Sequence, residues 1–248
     1  MADMMENHAP EGFADAHLHM TEAGFPGDYP DIGDAGLLLS CTAERREWEE
    51  LRSISDPRVR RFYGIHPWYA EEQWNGASVC ELRGFLEMDP QAGVGEIGLD
   101  IKRVNMDDQI PAFTNQLSLA AEMCRPVAVH MVGCEKETLD SIRMYGKGCS
   151  SIILHGFSSS ESYVKPFSDL CCYFSIGPRI LKRSEERVGR LLRTIPKDRL
   201  LLETDAPHQG EGFQGMLAFA ERMARIIDMN PSEVLEFTLE NTRRALDG

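Results

Sequence analysis

The sequence predicts an α/β chain closed into a (β/α)8 TIM-barrel-like fold, on three observations. Eight short, apolar, β-branched runs recur from start to finish, most intervals between them carry helix-like patterns, and the runs are too apolar to leave one face in water. Strand–helix alternation gives a parallel sheet, because each crossover returns the chain to the same end. Eight such repeats favour closure over an open sheet. At 248 residues and 42% hydrophobic content the chain has enough apolar material for a real core. One domain spanning residues 1–248 is the simplest expectation.

FADAHLH (13–19) is the first strand candidate. The stretch TEAGFPGDYPDIGDAG (21–36) that follows is rich in Gly, Pro and Asp and has no helical period, so a regular first crossover helix is expected to be missing. GLLLSCT (36–42) is the second strand, and AERREWEELRSI (43–54) after it places Trp48, Leu51 and Ile54 on one helical face. RRFYGIH (60–66) and AGVGEIGLD (92–100) are the third and fourth. AFTNQLSLAAEM (112–123) repeats Phe113, Leu117, Ala120 and Ala121 at helical spacing. PVAVHMV (126–132), SIILHGF (151–157) and CYFSIGP (172–178) continue the series. SEERVGRLLRTI (184–195) opens with a Ser N-cap candidate and an acidic first turn. RLLLETDA (199–206) is the eighth strand, and two terminal helices follow, divided at Asn230-Pro231.

Asp and Glu outnumber Lys and Arg by 40 to 26, for a net charge of −14. Such a surface repels the phosphate backbone of long nucleic acid, so no extended nucleic-acid-binding surface is expected. A phosphate substrate would be held locally, most simply by bound cations. The seven cysteines are scattered without a CxxC pair, which reads as a reducing, cytoplasmic setting. No secretory pattern opens the chain, and no stretch approaches the roughly 20 apolar residues of a membrane span.

The functional signal is positional. A parallel barrel brings the C-terminal ends of its strands to one mouth. Those ends carry His17, His19, Cys41, His66, Glu96, His130, His155, Ser175 and Asp205. Five of the seven histidines are therefore at strand ends; His8 and His208 are elsewhere. Asp15, His17 and His19 alternate, so they share one face of a strand. If that face is inward, both imidazoles meet Glu96 and Asp205, because the eighth strand adjoins the first. His130 and His155 come from neighbouring strands and can pinch a second ion, with Glu96 placed to bridge the two. Imidazole and carboxylate suit zinc, manganese or iron. Two ions about 3.5–4 Å apart would acidify a shared water and polarise an electrophile.

Other residues read as packing. Cys41 and Ser175 have no partner in sequence for nucleophilic catalysis and suit packing or support of a ligand. Cys171-Cys172 starts a core strand. GEIGLD is not a phosphate loop, and neither GxGxxG nor GxxxxGK[ST] occurs. The charged stretch at 43–50 is a solvated helix face.

DAHLH, GIHPW, GEIGLD, QIPAFTNQLSLAAEMCRPVAVH, ILHGFS and LLETDAP, with the closing helix SEVLEFTLENTRRAL, together resemble the TatD family of metal-dependent hydrolases in the amidohydrolase superfamily. The resemblance runs through nearly the whole chain in order. It implies a barrel with a divalent, usually binuclear, centre (Zn, Mn, Mg or Fe). One ion would take His17, His19, Glu96 and Asp205, and the other Glu96, His130 and His155. His66 and Glu203 look like the family's further polar active-site positions. The carbamylated-lysine branch of the superfamily does not fit, because Glu96 stands where that branch needs Lys and Lys102 lies beyond the strand end.

The chain departs from the family around the substrate. MVGCE follows the fifth strand where the family has a polar stretch containing Arg, and HQGEGFQG replaces a long Arg- and Asn-containing loop after ETDAP. Arg179 and Lys102-Arg103 are the cations left near the mouth, and surface positions suit them equally.

The expected chemistry is hydrolysis by a metal-bound hydroxide, with Asp205, His66 and Glu203 as the catalytic set. Asp205 would orient the nucleophile and take its proton, and His66 would contact substrate or leaving group. Glu203, one layer deeper on the same face, would steer a ligand. By resemblance the substrate is a phosphodiester, as for a deoxyribonuclease acting on nucleic-acid ends or a small molecule. Ester or amide hydrolysis, such as aminoacyl-tRNA deacylation, is the alternative, and a non-catalytic metal-binding barrel is a third reading.

Overall fold

A computed structural model of the chain describes residues 12–23, 25, 29, 31–103, 105–208 and 214–247. Its eight strands are β1 (Phe13–Leu18), β2 (Ala35–Cys41), β3 (Val59–Tyr63), β4 (Gly93–Asp100), β5 (Val127–Val132), β6 (Ile152–Leu154), β7 (Cys172–Ile176) and β8 (Leu200–Leu202). All pair in parallel in chain order. The β8–β1 seam is completed by the Leu18–Ala206 bridge and by bonds from His19 N to Ala206 O (2.8 Å) and Asp205 N to His17 O (2.9 Å). The result is a nearly closed TIM barrel.

The helices are α1 (Trp48–Ser53), α2 (Ala70–Gln73), α3 (Gly76–Met88), α4 (Met106–Glu122), α5 (Glu135–Tyr145), α6 (Val164–Ser168), α7 (Glu185–Thr194), α8 (Met216–Ile227) and α9 (Pro231–Asp247). Among the described residues, no helix is long and apolar enough to cross a membrane. The β1–β2 connection holds one 3-10 turn, Ile32–Asp34, in place of a crossover helix, as its composition predicts. α1 is shorter than its sequence pattern, because the segment enters through a 3-10 turn, Arg45–Glu47, closed by a Glu44–Glu47 capping box. α4 begins before the expected start and runs through Pro111. Ser184 takes the N-cap position of α7 without a side-chain capping bond, which leaves Glu185 and Glu186 to meet the helix dipole. Pro231 is the first residue of α9, where its missing N–H costs nothing. His8 and residues 209–213 of the HQGEGFQG loop lie outside the described residues.

Two apolar layers follow from strand parity. Leu38, Val127, Val129, Ile152, Leu154, Leu200 and Leu202 join the large cluster that includes helix residues such as Trp48, Phe113 and Leu117. Their alternates, Leu37, Leu39, Ala128, Ile153 and Leu201, form a second cluster with Phe62 and Tyr173 that fills the barrel. Trp48 is fully buried and satisfies its indole by donating to Gly64 O at 3.0 Å. Removing such a ring would cost about 3–5 kcal/mol. The inner parity positions the site: two residues beyond Ala128 is His130, two beyond Ile153 is His155, and beyond Leu201 come Glu203 and Asp205.

Candidate metal centre

Glu96 lies at the middle of the mouth, 3% exposed. The strand that carries it is pressed between neighbours. A Cβ at Gly95 would come within 2.8 Å of the Ala128 Cβ. Gly98 sits at φ +150, where a side chain would overlap the His130 carbonyl. The two glycines of GEIGLD thus let β4 approach β5 around the carboxylate.

The carboxylate divides its surroundings between its two oxygens. Oε2 is 3.2 Å from both His17 Nε2 and His19 Nε2, which are 3.1 Å apart. Oε1 faces His130 Nδ1 at 2.7 Å, His155 Nε2 at 3.2 Å and His66 Nε2 at 3.4 Å. Asp205 Oδ1 stands 3.8 Å from His19 Nε2, and its carboxylate is grouped with His17 and His155 within 4.8 Å. The residue holds φ 57, a left-handed conformation that Asp tolerates better than most side chains. All six ligands expected from sequence are therefore brought together, with His66 beside them.

This donor set fits divalent ions. A carboxylate offers about four lone-pair sites, so it cannot accept from five ring nitrogens at once. Some of those nitrogens must present lone pairs toward an anion, which only a cation between them relieves. The 3.1–3.2 Å edges of the His17, His19 and Glu96 triangle match the roughly 3.0–3.5 Å between donors that share one ion at about 2.0–2.2 Å. Burial pushes the Glu96 carboxyl up, but His155, His66 and His17 outweigh it and hold it well below the usual carboxylate range.

The outer ring nitrogens are fixed by partners behind them. His155 Nδ1–H donates to Glu203 Oε1 at 3.0 Å, and Gly156 N–H reaches the same oxygen at 2.8 Å. That arrangement turns His155 Nε2 into the cluster. Glu203 is 1% exposed and meets the cluster through His155. His130 Nε2 faces Asp100 Oδ2 at 3.4 Å, and that oxygen also accepts from Trp68 Nε1 at 2.7 Å. Burial pushes Asp100 up, but the bonds from His130, Trp68 and the Lys102 amide outweigh it and hold it below its ordinary range. His17 Nδ1 packs against Cys41 Sγ at 3.4 Å, the supporting role expected of that cysteine.

His66 differs in kind. The Trp68 amide donates to its Nδ1 at 3.2 Å, and burial depresses the imidazole to about 4. A neutral ring that accepts at Nδ1 carries its proton on Nε2. His66 therefore offers the mouth an N–H, while the other four rings can offer lone pairs.

Asp15 leaves the group it joins in sequence. The β1 register shifts between Asp15 and Leu18. Its carboxylate accepts from Tyr29 OH (2.6 Å), Thr204 N (2.9 Å) and Thr204 Oγ1 (2.5 Å), stitching β1 to the segment after β8. Burial pushes this carboxyl up to about 7 despite those bonds. Sequence reasoning missed Asp100 as a partner, although it ends the quoted GEIGLD strand. It also missed the Glu22–His208 contact, 2.6 Å, that joins the segments after β1 and β8.

Residues 14–247 match the family model described as TatD related DNase. The chain belongs to the TatD family. It is 35% identical over 206 residues to the 3'-5' ssDNA/RNA exonuclease TatD of Klebsiella pneumoniae, which covers 78% of each chain. It is 27% identical over 252 residues to YabD of Bacillus subtilis, described as an uncharacterized metal-dependent hydrolase, covering 93% of this chain and 97% of that one. The barrel superposes on YJJV, a TatD homolog from Escherichia coli, with a TM-score of 0.84 at 23% identity, over 95% and 98% of the two chains. Like its relatives, this TatD-family chain is a metal-dependent hydrolase.

Proposed function

We propose that this TatD-family chain cleaves phosphodiester bonds at the ends of single-stranded nucleic acid, at a centre where His17 and His19 would hold one divalent ion and His130 and His155 a second, with Glu96 between them. The carrying observation is the division of Glu96: Oε2 faces His17 and His19, and Oε1 faces His130 and His155. In this reading Asp205 completes the first set, and zinc, manganese or iron suits the donors best. Ions bound there would acidify a water and polarise the phosphoryl group. Asp205, with its side chain 11% exposed, is the carboxylate that reaches the mouth and takes the proton from the nucleophile. His66 Nε2–H donates to a phosphoryl or leaving-group oxygen. Glu203 and Asp100 hold His155 and His130 in orientation and touch no substrate. The exonuclease name of the Klebsiella relative supports a phosphodiester over an ester substrate.

The test begins with chelated protein reloaded separately with Mn, Zn or Mg. Hydrolysis of bis(p-nitrophenyl) phosphate and of an end-labelled single-stranded oligonucleotide is compared with hydrolysis of an aminoacyl ester. Metal-dependent cleavage of both phosphodiesters, lost in His130→Ala, is expected. Turnover of the ester alone would overturn the proposal.

A further inference from the structure

A groove of about 630 Å3 leads away from the donor cluster, within the roughly 300–1,000 Å3 of ligand sites. His130, His155 and Asp205 form one end. The other runs along the turn Pro178–Lys182 and the start of α7. Lys182, Arg183 and Arg187 line that far end, and Lys102 approaches from the loop after β4.

In a chain of net charge −14, cations have abundant carboxylates to pair with. Two of the groove's cations do so: Arg190 pairs with Glu186 and lies 3.6 Å from Glu161, while Arg179 lies 3.6 Å from Asp205 and donates to His208 O. Among the described residues, Lys102, Lys182, Arg183 and Arg187 have neither an ion pair nor a side-chain hydrogen bond. The nearby acids are already engaged, since Glu161 faces Arg190 and Glu135 accepts from Ser159 at 2.7 Å. Four unneutralised cations along one groove leave it positive in an acidic chain, and an anionic ligand would neutralise them.

We propose that this groove is a subsite for the backbone phosphates of a single strand adjoining the bond being cleaved, contacted by Lys182, Arg183 and Arg187. The assignment rests on the phosphodiester reading and extends it from one phosphorus to a chain of them. Several cations spread along a groove match a repeating polyanion, whereas a lone phosphate would need one guanidinium fork. Glu96 is only 3% exposed at the base of the mouth, so a strand must leave any duplex to bring phosphorus there.

The test uses the triple variant Lys182→Ala, Arg183→Ala, Arg187→Ala. A charge-matched control carries Lys147→Ala, Arg225→Ala and Arg243→Ala, exposed cations outside the groove that are likewise without partners among the described residues. Fluorescence anisotropy of a labelled single-stranded oligonucleotide is read on metal-stripped protein over a salt series. The groove variant should bind at least about tenfold more weakly, with a salt slope smaller by about 2, from roughly 0.7 per phosphate contact. The control should follow the wild type. With metal restored, kcat/KM for the oligonucleotide relative to bis(p-nitrophenyl) phosphate should fall about as far as the affinity, through KM. Wild-type affinity and slope in the groove variant, or an equal loss in the control, would overturn the subsite. Absence of any phosphodiester turnover by loaded wild type would instead remove the reading beneath it, and the metal-free binding series tells the two failures apart.

Discussion

Replacing Glu203 with Gln should loosen metal binding while leaving the fold intact. Glu203 Oε1 accepts from His155 Nδ1 at 3.0 Å and from Gly156 N at 2.8 Å, and the residue is 1% exposed. A Gln carbonyl can take both bonds and the volume is kept, while its NH2 takes the place of Oε2, whose neighbour is the Ser175 hydroxyl. What disappears is the charge. A bond to a charged group contributes about 1.5–3 kcal/mol and a neutral one about 0.5–1.5, so about 1–1.5 kcal/mol of orienting energy goes with it. Every 1.4 kcal/mol is about tenfold in an equilibrium constant, which puts metal affinity roughly tenfold lower, at the mild end of the 10–100-fold seen for partners of metal-ligating histidines. Ala is the less informative change, because it strands two buried donors at about 1–3 kcal/mol each and threatens folding. The assay is competition against a chromogenic chelator, with kcat measured at saturating metal. Weaker binding, with much of the kcat recovered at high metal, marks a positioning residue. A variant that binds metal with wild-type affinity yet is inactive at any metal concentration would refute this reasoning and make Glu203 a group that acts on substrate directly.

Three further outcomes are expected. Gly177→Ala places a Cβ 3.0 Å from Glu203 Oε1 and 3.2 Å from its Cγ, so it should displace the carboxylate and weaken metal binding in the same assay without changing any polar group; unaltered affinity would show that the carboxylate has room to give. Chelation should lower Tm by about 5–10 °C if metal is present at about 100 times its Kd, since one ion then adds about 2.7 kcal/mol and a chain of this size shifts about 2–4 °C per kcal/mol. An unchanged melting curve would speak against ions held at Glu96. Asp56→Asn tests pH dependence away from the site: Arg58 bonds hold the Asp56 carboxyl below its ordinary 3.8, while Arg58 Nη1 donates to Ile32 O at 2.8 Å and Ala35 O at 3.2 Å. A depressed acid contributes stability above its unfolded pKa and loses it as pH falls through the folded value. The variant should therefore melt about 2–3 °C lower at neutral pH, after allowance for solvent screening, and the gap should close below about pH 4. A gap independent of pH would assign the loss to the Arg58 bonds alone.

The strands were legible because burial on both sides of a parallel sheet writes continuous apolar runs into the sequence. All eight fall where those runs predict, but β6 and β8 close after Leu154 and Leu202, earlier than SIILHGF and RLLLETDA suggest. Past those points His155 N still bonds Val129 O and Glu203 N bonds Ile176 O, each at 3.0 Å, so the chain keeps its direction without a full ladder. That is why counting by twos along the run still placed His155 and Asp205. It failed for Asp15, where the β1 register shift and the Thr204 partner on a distant segment intervene, and neither is written in ADAHLH.

The same geometry separates what the sequence reveals about chemistry from what it reveals about substrate. A candidate ligand is fixed by its strand, and a strand is fixed by a local pattern, so the cluster of His17, His19, Glu96, His130 and His155 could be read one run at a time. The groove has no such pattern. Its cations come from the loop after β4, a 3-10 turn and the exposed side of α7, and RILKRSEERVGR interleaves them with Glu185 and Glu186 so that the segment reads as an ordinary charged helix. Only the fold shows that Arg190 takes Glu186, that Glu185 turns to Arg222 at 3.3 Å, and that Lys182, Arg183 and Arg187 are left without a partner among the described residues. A total of −14 conceals this, because net charge sums over a surface while a substrate meets one side of a mouth. An acidic exterior around a short cationic groove disfavours long nucleic acid lying across the barrel and admits a strand end entering it. That is the discrimination which the proposed cleavage from a strand end would require.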